Sequence, residues 1–229
     1  MRLLEKNKLS ESWNYSLKQG ANVILMRHAP KSGSDESGLS EEGVKLAREY
    51  GKILKLNDPL LICTSKQRTL DTINLLFPSS LINAPLILPD LEVNKVSSSI
   101  DKQCKRLHAK IGHFRRYYLN HTYYFLEKLG GTFGDKLSEC NLHTTIAERM
   151  VRGIKLLFSY GKNVVYCGHS PIIEVGLEKL FGLSLSELGG FLNPLDSIHL
   201  RKKDNRIEWI ARINPIVDYV DLESETHFK

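Results

Sequence analysis

Two arginines and two histidines stand where apolar runs stop. Arg27 and His28 follow Asn22-Val23-Ile24-Leu25-Met26, Arg68 comes shortly after Pro59-Leu60-Leu61-Ile62-Cys63, and His169 follows Val164-Val165-Tyr166-Cys167-Gly168. A neutral imidazole is a competent nucleophile near neutral pH, and a guanidinium offers forked donors that match a tetrahedral oxyanion. Gathered at one point, such groups call for an anion, and phosphate is the natural one. The stretch Leu86-Ile87-Leu88-Pro89-Asp90-Leu91-Glu92 adds two carboxylates, and Asp90 and Glu92 are each either a proton donor or an ordinary surface acid. Metal chemistry is not called for: Cys63, Cys104, Cys140 and Cys167 lack any C-x-x-C spacing, so neither a zinc site nor a disulfide framework is indicated.

The elements that must bring these residues together can be read from the same runs. Each run is a short series of branched apolar residues, the pattern of a strand buried on both faces. Chemistry in open α/β sheets sits at the carboxyl ends of such strands, which share one edge when the strands are parallel. Pro30 biases Ala29 towards an extended conformation, so His28 should lie at a strand-to-loop exit. The polar loop Lys31 to Gly38 follows it and edges the site. Ser40 then caps a helix with Glu41 and Glu42 in its first turn, and Val44, Leu46, Ala47, Tyr50, Ile53 and Leu54 give that helix an apolar face ending at Asn57-Asp58-Pro59. After the second strand Thr64 or Ser65 caps a helix whose first turn holds Arg68, where guanidinium and free helix amides suit an oxyanion.

Farther on, Ile100, Cys104, Leu107, Ile111, Phe114 and Tyr118 draw one helical stripe opposite Lys102, Lys105, Arg106, Lys110, Arg115 and Arg116. That basic face is either solvated surface or part of a cap that attracts an anionic substrate or an acidic partner along 102–116. Ser98 and Asp101 have the spacing of a capping box at its start. A further helix starts at Thr144 or Thr145. Segments 195–200 and 207–213, parted by Lys203-Asp204-Asn205, form a terminal hairpin, and a short helix spans Trp13 and Leu17. The expected architecture is α/β: a three-layer sandwich with a mostly parallel central sheet flanked by helices, a helical insertion at about 97–144, and a C-terminal β-hairpin. Residues 1–229 are read as one domain.

The formal net charge of +6 fits an anionic ligand, but the excess is spread along the chain, so a nucleic-acid partner is not expected. Charges interrupt any hydrophobic stretch at the N-terminus, and no run is long enough to cross a bilayer. Cys63 and Cys167 sit in strand-like runs that suit reduced thiols, so a cytoplasmic location is expected.

These motifs resemble those of the histidine phosphatase superfamily, the phosphoglycerate-mutase-like group. The likeness is carried by Leu25-Met26-Arg27-His28-Ala29, by Leu39-Ser40-Glu41-Glu42-Gly43, and by Cys63-Thr64-Ser65-Lys66-Gln67-Arg68-Thr69 with Thr72. Leu91-Glu92 and Val164-Val165-Tyr166-Cys167-Gly168-His169-Ser170 complete it. The resemblance implies a phosphomonoesterase in which His28 forms a phosphohistidine, Arg27, Arg68 and His169 bind the phosphoryl oxygens, and Glu92 protonates the leaving oxygen, with no cofactor or metal. A phosphotransferase or mutase using the same intermediate is one alternative. A non-catalytic phosphate-binding interaction module is another. Ala29 replaces the glycine usual after the nucleophile, and Pro30-Lys31 replaces the mutases' Glu-Ser, which disfavours a mutase. Ser170 stands where the acid phosphatase branch has aspartate, so the proton donor falls to Glu92, with Asp90 in reserve.

Overall fold

The computed structural model describes residues 2–33, 38–78, 86–87, 91, 142–170 and 172–217. Asp90, Glu92, the Ser98 and Asp101 box and the basic stripe 102–116 lie outside the described residues. The chain divides into two compact units. One comprises the described residues of Met1–Leu86, Gly161–Cys167 and Asn193–Lys229, and the other those of Ile87–Tyr160 and Gly168–Leu192.

The elements in chain order are β1 (Arg2–Leu3), α1 (Lys6–Lys18), β2 (Val23–Arg27), α2 (Glu41–Gly51), β3 (Leu60–Cys63), α3 (Gln67–Leu76), β4 (Leu86–Ile87), α4 (Leu142–Ser159), β5 (Val164–Gly168), α5 (Ile172–Phe181), β6 (Ser197–Lys203), β7 (Arg206–Ile213) and β8 (Ile216–Val217). Six strands form a mixed sheet in the order β4-β3-β5-β2-β6-β7. The α/β class and the terminal hairpin are as expected. β3 and β5 are parallel, from Leu60 opposite Val164 to Cys63 opposite Cys167. The Val164 N–H donates to the Asn22 carbonyl at 2.8 Å, so β5 and β2 start side by side. β6 returns antiparallel to β2, and β7 antiparallel to β6. The hairpin closes on Asp204 and Asn205, both in the left-handed region at φ 48° and 64°. That is the mirror-image turn whose twist matches paired strands, and Asp and Asn tolerate it better than most residues.

The apolar runs behave as runs buried on both faces should: Val23, Ile24, Leu25 and Met26 are all shielded from solvent, as are Val164 to Cys167. Ile24, Met26, Leu61, Cys63, Val165 and Cys167 share a core with Leu9 and Trp13 of α1, Leu46, Ala47 and Tyr50 of α2, and Ile73 and Leu76 of α3. Trp13 meets Tyr50 edge-on, with ring centroids 6.1 Å apart. Burying an aromatic side chain of this size contributes roughly 2–3 kcal/mol, so these contacts fix α1 and α2 on the sheet more firmly than helix propensity does.

Some boundaries differ from expectation for definable reasons. α3 is preceded by Lys66, whose side chain makes no capping bond. The Thr64 hydroxyl is engaged instead with Thr69 Oγ1 at 2.9 Å, so neither Thr64 nor Ser65 acts as the cap. α2 stops at Gly51, well before Asn57, yet Ile53 and Leu54 are still buried because the chain continues across the same core. α4 starts at Leu142 rather than at Thr144 or Thr145. The two-residue pair β1 with β8 carries no alternation long enough to be read in sequence. No helix among the described residues is long and apolar enough to cross a membrane.

Ser40 caps α2 as expected, accepting from the Gly43 N–H at 3.0 Å. Its own N–H donates to the Pro30 carbonyl at 3.0 Å, so this cap also fastens the helix to the loop after His28. The approach is so close that a Cβ at Gly43 would stand 2.1 Å from the Pro30 oxygen. Alanine is better than glycine in a helix by about 1 kcal/mol. Here overpacking against backbone outweighs that gain, and Gly43→Ala is expected to destabilise the protein by roughly 1–3 kcal/mol in urea unfolding. A variant as stable as the parent would show that the Pro30 loop yields freely.

Candidate active site

β2 delivers Arg27 and His28 to its carboxyl end, and the chain there is held on both sides. The Arg27 N–H donates to the Asp196 carbonyl at 3.0 Å, and the Leu195 N–H donates to the Arg27 carbonyl at 3.1 Å. Leu195 sits in the left-handed region at φ 68°, a conformation that costs a branched residue roughly 1–2 kcal/mol. The surroundings hold it there. Asp196 Oδ2 accepts from the Asn193 N–H at 2.9 Å and from Arg212 Nη2 at 2.8 Å. Burial pushes the Asp196 carboxyl pKa up, while Arg212, Asn193 and Arg27 oppose that rise.

His28 is buried, and both of its ring nitrogens have partners. Nδ1 lies 2.7 Å from the Ala29 carbonyl oxygen, which can only accept, so Nδ1 carries the proton. Nε2 therefore keeps its lone pair, and it accepts from Arg68 Nε at 3.2 Å. Desolvation lowers the His28 pKa to about 3. Arg27, Arg68 and Lys31 lower it as well, and the bond to Ala29 opposes them. At neutral pH the ring is uncharged and its Nε2 lone pair is engaged by a cation.

Arg68 is the second residue of α3 and is itself buried. The turn before it is braced by threonines. Thr69 Oγ1 donates within reach of the Thr64 carbonyl at 2.9 Å and the Lys66 carbonyl at 2.7 Å. Thr72, one turn after Arg68, donates to the Arg68 carbonyl at 2.7 Å and accepts from the Ala29 N–H at 3.0 Å. Arg27, His28 and Arg68 are thus brought together within one unit. Lys31, which acts on His28 as a third cation, was read only as the start of an edging loop. Its signal in sequence is its place three residues after the histidine. It pairs with Leu39 in an antiparallel bridge that closes the base of that loop.

His169, directly after β5, is buried in the other unit, where its carbonyl accepts from the Ile173 N–H of α5 at 3.1 Å. Next to it the Ser170 hydroxyl donates to Glu174 Oε1 at 2.5 Å, and the Leu192 N–H donates to the same oxygen at 2.7 Å. Glu174 is a buried carboxylate that the sequence reading passed over, because an acid in a helical first turn looks like ordinary dipole complementation. Leu91 is buried against α4 at Gly153, where a Cβ would stand 2.2 Å from its Cδ2. Glu92 and Asp90 lie outside the described residues, so the proton donor is not located.

The buried histidines set an acid limit on stability. His199 is enclosed between Ser16 at Nδ1 (2.7 Å) and Ser197 at Nε2 (3.0 Å), and burial lowers its pKa to about 3, as for His28. Unfolded histidine titrates near 6.5, so between pH 6.5 and 3 the unfolded chain binds more protons and stability falls as pH falls. Each ring takes away about 2 kcal/mol between pH 7 and pH 5. Urea midpoints should therefore be flat above pH 7 and decline below 6.5. A flat profile down to pH 4 would contradict the burial of both rings.

Comparison with solved structures identifies the fold. The chain is similar to a phosphoserine phosphatase from Entamoeba histolytica in complex with phosphoserine, at 12% identity over 83% of this chain and 95% of that one, with a TM-score of 0.57. A phosphoglycerate mutase from Bacillus anthracis is 15% identical over 85% of this chain and 94% of its own, with a TM-score of 0.54. An alpha-ribazole phosphatase from Shigella flexneri is 14% identical over 82% and 94%, with a TM-score of 0.52. No protein-family model matches the chain, and no curated protein matches it in sequence. The α/β architecture is the one these phosphatase and mutase structures share.

Proposed function

We propose that this chain, with its histidine-phosphatase fold, is a phosphomonoesterase that works through a phosphohistidine on His28. The observation that carries the reading is the pair of bonds on the His28 ring. Nδ1–H is spent on the Ala29 carbonyl, and the Nε2 lone pair points at the Arg68 guanidinium. An approaching phosphate ester takes over the Arg68 donor, which leaves Nε2 free to attack phosphorus. As the N–P bond forms and the ester P–O bond breaks, the ring gains positive charge, and the Ala29 carbonyl stabilises it through Nδ1–H.

Arg27 and Arg68 hold the phosphoryl oxygens as negative charge spreads over them. In this reading His169 completes the oxygen-binding set and Glu92 protonates the departing oxygen. Water, deprotonated by the same carboxylate, then attacks phosphorus, breaks the N–P bond and releases inorganic phosphate. Two successive displacements at phosphorus, with one nitrogen as nucleophile and then as leaving group, need no metal, since that nucleophile is neutral and already desolvated. Phosphorylated small molecules and phosphopeptides share the reacting group, so the substrate class is a phosphate monoester of open identity.

The test is to trap the intermediate. Incubation with radiolabelled acetyl phosphate and rapid denaturation should leave label on the protein that survives alkali, is lost in acid and maps to His28. Acid-stable label, or none under conditions where the protein turns the compound over, would dismiss the phosphohistidine.

A further inference from the structure

The bonds around His28 form a closed circuit that begins and ends on one residue. Arg68 Nε donates to His28 Nε2 at 3.2 Å, and His28 Nδ1 donates to the Ala29 carbonyl at 2.7 Å. The Ala29 N–H donates to Thr72 Oγ1 at 3.0 Å, and Thr72 Oγ1 donates to the Arg68 carbonyl at 2.7 Å. The last of these bonds is ordinary, because helical threonines commonly bond back to the carbonyl four residues earlier. The one before it is not. It reaches 43 residues along the chain to Ala29, the residue whose carbonyl meets the histidine ring.

We propose that Thr72 is a positioning residue: by anchoring the Ala29 N–H it holds Ala29 so that its carbonyl stays against Nδ1 and fixes the tautomer of His28, and through the Arg68 carbonyl it fixes where that guanidinium aims. A single hydroxyl can do both because it donates once and accepts once, and here each role is used on a different side of the site. Thr72 is fully buried, so no water stands in for it. Its methyl and hydroxyl are also locked in place, since a β-branched side chain in a helix has few rotamers. Loss of the hydroxyl leaves the Ala29 N–H without its acceptor, and rotation about the Ala29 backbone dihedrals can then turn its carbonyl, which belongs to the following peptide, away from Nδ1. Free imidazole in water favours the proton on Nε2, so a loosened ring drifts towards the tautomer that cannot attack.

The kinetic consequence rests on the phosphomonoesterase reading, but the tautomer does not. Nitrogen-15 NMR of histidine-labelled protein at neutral pH reads the His28 tautomer directly, with His28→Ala supplying the assignment. The parent should show Nδ1–H only. Thr72→Val keeps the shape without the hydroxyl, and it should show a substantial Nε2–H population and a kcat lowered about 10–100-fold with KM changed less than about threefold. Thr72→Ser keeps the hydroxyl and should restore both within about threefold. Thr72→Ala serves the same purpose as valine should valine not fold.

A parent protonated on Nε2 would overturn the proposal, as would an unchanged tautomer in both hydroxyl-free variants. Serine failing as badly as valine at equal thermal stability would assign the effect to packing and overturn it as well. A shifted tautomer in a protein that hydrolyses no phosphate ester would uphold the positioning role and remove the phosphatase reading.

Discussion

His28→Ala is expected to lower kcat for phosphate-ester hydrolysis by roughly four to six orders of magnitude and to abolish acid-labile labelling. On the proposed mechanism the loss is this large because the variant removes the atom that would bond to phosphorus, leaving Arg27 and Arg68 to position the ester without a nucleophile. A second effect separates lost chemistry from a damaged fold. The parent loses stability below pH 6.5 partly because His28, held neutral with a pKa of about 3, must stay unprotonated in the native state. The alanine variant lacks that linkage, so its stability should fall by about 2 kcal/mol less between pH 7 and pH 5. Steady-state assays and urea melts at the two pH values check both. Equal turnover by parent and variant would remove the nucleophile assignment, whatever the melts show.

Arg68→Ala should lower kcat/KM by roughly 10²–10³-fold, the range for losing one fixed donor to developing charge. Arg68 sits in the first turn of a helix, is buried, and already points a donor at the nucleophile, so nothing needs to reorganise for it to act. Lysine should recover little, because it lacks the planar fork and cannot keep Nε at the position that meets His28 Nε2. Removing the guanidinium also removes one of the charges that hold the His28 pKa down, though desolvation, the larger cause, remains. The acid limb of kcat/KM should therefore move upward in Arg68→Ala but stay below the range of a solvated histidine. An Arg68→Lys enzyme with parental kcat/KM would show that only net charge is needed there.

Much of this was legible in one dimension. Ile24 and Met26, and likewise Val165 and Cys167, are buried on the same face as Cys63, and the runs that contain them are apolar at every position because both faces of the sheet are covered. A residue type that ends such a run is conspicuous, which is why Arg27, His28 and His169 can be picked out. Ser40 is recognisable for a similar reason: its cap is a local bond to Gly43, three residues on. The cap of α3 was misread because Thr64 bonds to Thr69 instead of acting as an N-cap. Which partner a hydroxyl takes depends on where the next turn lies.

By itself, then, the amino-acid order determined the sheet, the hairpin and the candidate nucleophile, since these follow from local periodicity and from residues placed at the ends of apolar runs. Tertiary structure alone decided the protonation of His28, the third cation at Lys31 and the task of Thr72. Those properties depend on burial and on bonds between residues some 40 positions apart, such as Ala29 and Thr72. A pKa or a tautomer is set by the groups that surround a side chain in space, and no pattern of near neighbours in the chain encodes it.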